Sequence, residues 1–249
     1  MRGLAAAAFW ARDRAGRAAL LAAAGAALLL PRSLLQGGSD PGAEGFRAGL
    51  AAGPGGSVLA GLWGVLLLAG VLALWQGVVA SDVESGRFRT TLARPVWRPG
   101  VYLARHAGAL FLLVLAAGTV RALVGAAGGE TASDPVGLFL SALLTGWTAG
   151  GLLLLLSSVL DRGDVLAGVA LFLAPGALEG AGDPGGPLSL ATGLVSAALP
   201  PMLPLAEARR SLLTGGWPDD GVLLVVGLYG ACALGLAALR LHFREFRAG

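Results

Sequence analysis

Apolar residues occur along this chain in long runs, and the shorter segments between the runs carry most of the charge. A bilayer core about 30 Å thick requires about 20 apolar residues in helical conformation. The fifth run is the shortest and ends around Pro175. We predict six transmembrane helices at about 18–35, 57–80, 107–127, 136–160, 165–178 and 221–241.

The region between the fifth and sixth runs departs from this pattern. Leu188 to Leu205 is apolar but contains Pro200, Pro201 and Pro204, and proline interrupts a spanning helix. We therefore predict a re-entrant or surface-lying segment within an extracytoplasmic region at 179–220, with a seventh span as the alternative.

The N-terminal stretch from Leu4 to Arg17 combines aromatic residues with arginines, which predicts an interfacial helix leading into the first span. No A-x-A-like cleavage site follows the first apolar run, so we expect no cleaved signal peptide.

Composition supports a membrane protein. The chain is 55% hydrophobic and only 13% charged, whereas soluble domains carry roughly 25% charged residues. We predict an all-α, polytopic protein in which residues 1–249 form a single transmembrane domain.

Arginine supplies all 18 basic residues and is unevenly distributed. Six spans with both termini on one side place thirteen arginines on that side and five on the other. The positive-inside rule then predicts cytoplasmic N- and C-termini in a multi-pass protein of the cell inner (cytoplasmic) membrane. A seventh span would move Arg240, Arg244 and Arg247 to the outside.

The residue inventory argues against an enzyme. Without lysine the chain cannot supply the lysine of a P-loop. His106 and His242 lie in different segments, where we expect interfacial positions, and Ser157 and Ser158 have no histidine in their run. Cys232 is predicted to be a small packing residue. We predict no catalytic, metal or cofactor site and no nucleic-acid partner.

Energy for transport would also have to come from elsewhere. Proton- or ion-coupled carriers bury acidic residues or histidine at mid-membrane, and none of the six runs has an acidic residue near its centre. Any pumping must therefore be powered by another chain.

The predicted cytoplasmic loop 81–105 is the densest polar stretch. Ser81 and Glu84 have the spacing of a capping box, which predicts a short helix. Pro95 ends that helix, and Pro99 can open the next one. The alternative is a charged, solvated loop that only obeys the positive-inside rule.

The order of residues in this loop resembles the signature of the ABC-2 type exporter permeases. The matching residues are Glu84-x-Gly86-x-x-x-x-x-Leu92-Ala93-x-Pro95-Val96-x-Arg98, followed by Arg105. The resemblance extends to the interfacial N-terminal helix, the six spans and the proline-interrupted segment before the last span. The family often ends in Phe, two basic residues and Asp, and Phe246 departs from that ending.

The resemblance implies a permease that dimerises with a second copy or a related chain and pairs with a separate cytoplasmic ATPase subunit, which binds the ATP. The loop after the second span would be the coupling element that rests on the ATPase. The residues assigned to coupling on this basis are Asp82, Glu84, Arg87, Arg89, Arg94, Pro95, Arg98 and Arg105.

The segment from Asp161 to Asp164 is a smaller second candidate contact, with a tight solvated turn as the alternative. A different class of function also stays open, a non-transporting assembly or scaffold protein of the membrane. Small residues such as Gly150 and Gly230 allow close helix packing, so oligomerisation in membrane lipid is expected in either case.

Overall fold

The computed structural model describes residues 12–26, 54–79, 82, 97–126, 135–160, 163–180 and 199–243, and every regular element in these ranges is a helix. The seven helices are α1 (12–26), α2 (Pro54–Trp75), α3 (Arg98–Ala126), α4 (Pro135–Val159), α5 (Asp164–Gly180), α6 (Met202–Leu213) and α7 (Asp220–Phe243). The predicted all-α class is confirmed for this part of the chain.

Three of the helices are long and apolar enough to cross a membrane. They contain the segments Pro99–Leu123, Val136–Val159 and Asp220–Phe243, of 25, 24 and 24 residues. At a rise of about 1.5 Å per residue each extends beyond the roughly 30 Å of a bilayer core. Gly61–Trp75 and Asp164–Pro175 are shorter apolar helices. The described helices thus indicate a membrane protein.

One predicted boundary differs clearly in the structure. α2 ends at Trp75 rather than at residue 80, because Gly77 has a φ of 64° and takes the backbone out of the helix. α3 begins at Arg98, so the last residues of the predicted loop 81–105 form its first two turns. α5 runs from Asp164 through Pro175 to Gly180, two residues beyond the predicted end at 178; contacts with neighbouring helices make the internal proline tolerable.

The N-terminal prediction is changed in one respect. Helix α1 runs without interruption through Arg17 and Ala18, so the predicted interfacial segment and the first span share one helix over 12–26. Residues 4–11 and 27–35 of these two predictions lie outside the described residues.

The proline-rich segment is described only from residue 199 onward. Pro204 lies in the first turn of α6, where the backbone N–H groups have no intrahelical partner and proline removes little. With 12 residues, α6 is about 18 Å long and too short to cross a bilayer. It packs against α2, α4, α5 and α7.

Helix α4 forms the centre of the bundle and contacts α2, α3, α5, α6 and α7. The most apolar stretch of α4 is 67% buried inside the bundle, whereas the corresponding stretch of α7 is 28% buried. Buried small residues on α4, such as Ala142 and Ala149, let neighbouring helices approach closely. Most of the buried apolar residues form one cluster that includes Leu74, Leu113 and Leu153.

Contacts between helix ends define two ends of the bundle. At one, named the Arg105 end, Arg14 reaches Ala73 and Arg105 reaches Val78. At the other, named the Arg209 end, Leu212 of α6 lies beside Gly137 near the start of α4, and Arg209, also of α6, lies beside Gly64 in the middle of α2. Helices α2, α4 and α7 run toward the Arg105 end, while α1, α3 and α5 run away from it.

The outward surface of the helices is rich in large apolar side chains. These include Leu20, Val65, Phe111, Leu166, Leu173 and Leu228. Such a continuous apolar exterior would be a liability in water but suits contact with lipid tails.

Candidate functional site

The Arg105 end of the bundle carries a polar cluster built around the C-terminus of α2. A helix leaves its last four carbonyl groups without intrahelical partners, and here residues 76–79 form a turn that leads toward the predicted coupling loop. Gly77 permits this turn because its positive φ is strained for a residue with a side chain.

Arginines from α1 bind the exposed carbonyl groups of this end. The guanidinium of Arg14 donates to the Ala73 oxygen at 3.1 Å and to the Gln76 oxygen at 2.9 Å. Arg17 donates to the Ala73 oxygen at 2.7 Å. Cations are favoured at a helix C-terminus because the backbone dipoles make it negative. Burial, and next the positive charge of Arg17, lower the pKa of Arg14.

Arg105 and Asp82 form a buried ion pair at the same place. Arg105 Nη1 lies 2.7 Å from Asp82 Oδ2, and the two side chains are only 9% and 8% exposed. Arg105 Nη1 also donates to the Val78 oxygen at 2.8 Å. The Tyr102 hydroxyl donates to Asp82 Oδ2 at 3.4 Å, and the guanidinium lies 5.2 Å from the centre of the Tyr102 ring. Each buried charge therefore has a partner, as burial requires.

The backbone N–H groups of the turn are bound from the junction of α4 and α5. The Gly77 N–H donates to Asp164 Oδ2 at 3.2 Å, and the Val79 N–H donates to Ser157 Oγ at 3.1 Å. Asp164 also accepts from the Val165 N–H at 2.9 Å, which places a negative charge at the positive N-terminus of α5. The turn after α2 is thereby tied to α1, α3, α4 and α5.

A tryptophan–histidine contact lies directly beneath this cluster. Trp75 Nε1–H donates to His106 Nδ1 at 2.8 Å. His106 is 4% exposed within the bundle. The reason is that Tyr102, Arg105 and His106 share one face of α3, at spacings of three and four residues, and that face is turned into the bundle.

Glycines make room for the indole rings here. A Cβ on Gly150 would lie 2.5 Å from Trp75 Cε2, and one on Gly230 would clash with the indole of Trp147. Trp147 in turn donates to the Gly227 oxygen at 3.1 Å, which links α4 to α7. The small residues therefore accommodate aromatic side chains as well as close backbones.

Of the eight residues assigned to coupling, the structure brings together Asp82 and Arg105. Arg98 begins α3, and its backbone alone is described. Glu84, Arg87, Arg89, Arg94 and Pro95 lie outside the described residues, as does the short helix predicted between Ser81 and Pro95.

Other predictions are changed by the structure. At Asp164 a solvated turn is wrong, because the side chain is buried against Gly77. Cys232 is exposed rather than packed, because it lies on the outward face of α7. No three His, Cys, Asp or Glu side chains group as a metal site within the described ranges.

Sequence reasoning missed the contributions of Arg14, Arg17, Ser157 and Asp164 to this cluster. Two signals for it were present. Arg14 and Arg17 are spaced to share one face of a helix, and Gly77 follows an apolar run, which is typical of a helix C-terminus.

Comparisons of the chain with protein-family models, curated proteins and solved structures found no match.

Proposed function

We propose that this chain is the membrane-spanning permease subunit of an ABC exporter, driven by a separate cytoplasmic ATPase that the 81–105 loop contacts. In this proposal six spans cross the inner membrane, both termini and the Arg105 end face the cytoplasm, and α6 belongs to a re-entrant or surface-lying segment outside. The permease works as a dimer with a second copy or a related chain.

The observation that carries the proposal is the buried ion pair between Asp82 and Arg105. These residues stand at the two ends of the predicted coupling loop, and their contact closes the loop at the surface of the bundle. A loop that only obeyed the positive-inside rule would not require its ends to be joined by a buried charge pair.

The surrounding contacts provide a path for movement of the loop to reach the helices. Arg105 is bonded to Val78 beyond α2, Arg14 holds α1 to Ala73, and Asp164 holds α5 to Gly77. Because charged and hydrogen-bonded contacts resist separation when buried, we expect displacement of the loop to move these helix ends as a unit.

The experiment is purification of the tagged full chain from its native membrane in mild detergent, followed by mass spectrometry of the co-purified proteins. A stoichiometric P-loop ATPase is the expected result. A clean oligomer without an ATPase would refute the proposal and would favour a scaffold protein.

The same preparation tests the loop. We expect Glu84→Gln and Arg98→Gln to retain less ATPase than the wild-type chain, because each removes a charge from the proposed contact. Arg240→Gln is the matched control, since Arg240 is exposed near the same end of the bundle on α7. Equal retention by all three variants would contradict the assignment of the loop.

A further inference from the structure

Arg209 is a buried arginine at the opposite end of the bundle from Arg14 and Arg105. Arg209 on α6 is 6% exposed, and its side chain lies across α2 at Gly64. A Cβ on Gly64 would be 2.6 Å from Arg209 Nη2 and 2.8 Å from its Cζ. A side chain at this position would require the guanidinium to shift.

The surroundings of Arg209 differ sharply from those of Arg105. Arg105 has a carboxylate and a backbone carbonyl within hydrogen-bonding distance. By contrast, Nε and Nη1 of Arg209 are buried, and within the described ranges neither has a hydrogen-bond partner. Burial lowers the pKa of Arg209 to about 10, so the side chain is still a cation at neutral pH.

The neighbouring residues are apolar. Leu205, Ala208 and Leu212 of α6 are buried around Arg209 along the helix. On α2, Gly64 is buried, whereas the nearby apolar residues Leu62 and Val65 are exposed. Glu207, Asp219 and Asp220 are exposed, and no ion pair joins any of them to Arg209.

A charge in this position is destabilising unless an anion compensates it. Guanidinium is weakly hydrated and presents a planar set of N–H donors that matches the oxygens of a phosphate. The apolar exterior beside Gly64 suits the acyl chains attached to such a group.

We propose that Arg209 is the anchor of an oxyanion-binding site at the Arg209 end of the bundle, which takes a phosphate group, either that of an anionic phospholipid or free phosphate. Gly64 forms the opposite wall by allowing the guanidinium to lie against the α2 backbone. This site does not depend on the proposed transport function.

The test is thermal unfolding of the purified full chain in a neutral detergent, monitored by tryptophan fluorescence. The unfolding midpoint is measured for the chain without additive, with phosphatidylglycerol, with phosphatidylcholine, and with inorganic phosphate. Arg209→Gln removes the proposed anchor. Arg210→Gln is the matched control, because Arg210 is the next residue of α6 and is exposed.

We expect phosphatidylglycerol to raise the unfolding midpoint of the wild-type chain and of Arg210→Gln. Arg209→Gln should require at least about tenfold more phosphatidylglycerol for the same rise in midpoint, because it has lost a charge-assisted contact. An equal shift with inorganic phosphate assigns the site to the free anion. A shift with phosphatidylglycerol and none with inorganic phosphate assigns it to the lipid. A shift of the same size in Arg209→Gln, or no shift in the wild-type chain with any of the additives, overturns the proposal.

A second variant keeps the test decisive if Arg209→Gln fails to fold. Arg209→Met keeps much of the length of the side chain without its charge. In anion-free detergent it should unfold at the same temperature as the wild-type chain or higher, because an uncompensated charge has been removed. A lower midpoint would instead show that the guanidinium stabilises the fold without a bound anion, and the proposal would fail.

Discussion

The effect of replacing a charged residue in this bundle depends on whether its charge is buried and paired. Asp82 and Arg105 are both buried and have each other as counter-ion, whereas Asp13 is 75% exposed and lies 4.0 Å from Arg14. A buried pair is sensitive to loss of one member, because the remaining charge has neither water nor a partner. The contact between Asp13 and Arg14 contributes little, because solvent screens the exposed carboxylate of Asp13.

Replacement of Asp82 by asparagine should therefore be strongly destabilising. We expect Asp82→Asn to lower the free energy of unfolding by about 3–5 kcal/mol, because Arg105 is left buried without a counter-charge. Asp13→Asn is the control and should change it by less than about 1 kcal/mol. Denaturant unfolding in detergent measures both. Similar losses in the two variants would contradict the account of the ion pair.

At the scale of the helix, the C-terminus of α2 is fixed by backbone geometry as well as by side chains. Gly77 has a φ of 64° and donates its N–H to Asp164. Gly61, earlier in the same helix, is exposed, and a Cβ there would meet nothing within 4 Å. The two glycines should thus respond in opposite directions to the same substitution.

Gly77→Ala should destabilise the protein by about 1–2 kcal/mol, because a side chain disfavours the left-handed conformation. Gly61→Ala should leave stability unchanged or raise it by up to about 1 kcal/mol, because alanine is the better helix former. Thermal unfolding of the two variants side by side tests this, and a loss of stability in Gly61→Ala alone would contradict it.

The contact between Trp75 and α4 gives a second prediction at this scale. Gly150→Ala should displace the indole and weaken its hydrogen bond to His106, because the new Cβ would lie 2.5 Å from Trp75 Cε2. We expect a lower unfolding midpoint and a changed tryptophan emission spectrum. Gly235→Ala on α7, where a Cβ would meet nothing within 4 Å, should change neither.

The apolar runs of the sequence located the long helices well. Length and hydropathy alone locate α3, α4 and α7, since a spanning helix must be about 20 residues long, and the ends of α4 and α7 lie within two residues of the predicted runs 136–160 and 221–241. The end of α2 was predicted less well, because it depended on the conformation of Gly77. Asp82 and Arg105 could be predicted as candidate site residues because they belong to the loop 81–105. Arg14 and Asp164 lie far from them in sequence and join them only through tertiary contacts.

For the whole molecule, exposed tryptophans at opposite ends provide a test of orientation. Trp97 precedes α3 at the Arg105 end, and Trp217 lies between α6 and α7 at the Arg209 end; both are exposed. The proposed topology places Trp97 in the cytoplasm and Trp217 outside. Cys232 is the only native cysteine, so a cysteine-free background requires one change, Cys232→Ser.

In that background, Trp217→Cys should react with a membrane-impermeant maleimide in intact cells, because its side of the membrane is exposed to the reagent. Trp97→Cys should react only after the membrane is permeabilised. Labelling is measured by the mass shift of the purified chain. The reverse pattern would place the termini outside and remove the basis for a cytoplasmic coupling loop.

The arginine bonds at the end of α2 also bear on the order in which the chain can assemble during synthesis. Arg14 and Arg17 precede α2, so their bonds to Ala73 and Gln76 can form as soon as α2 has been translated. The bond from Arg105 to Val78, and with it the counter-charge of Asp82, must wait until α3 has been translated. A nascent chain that stops before α3 therefore holds Asp82 without the counter-charge of Arg105, and only the completed pair of α2 and α3 supplies it.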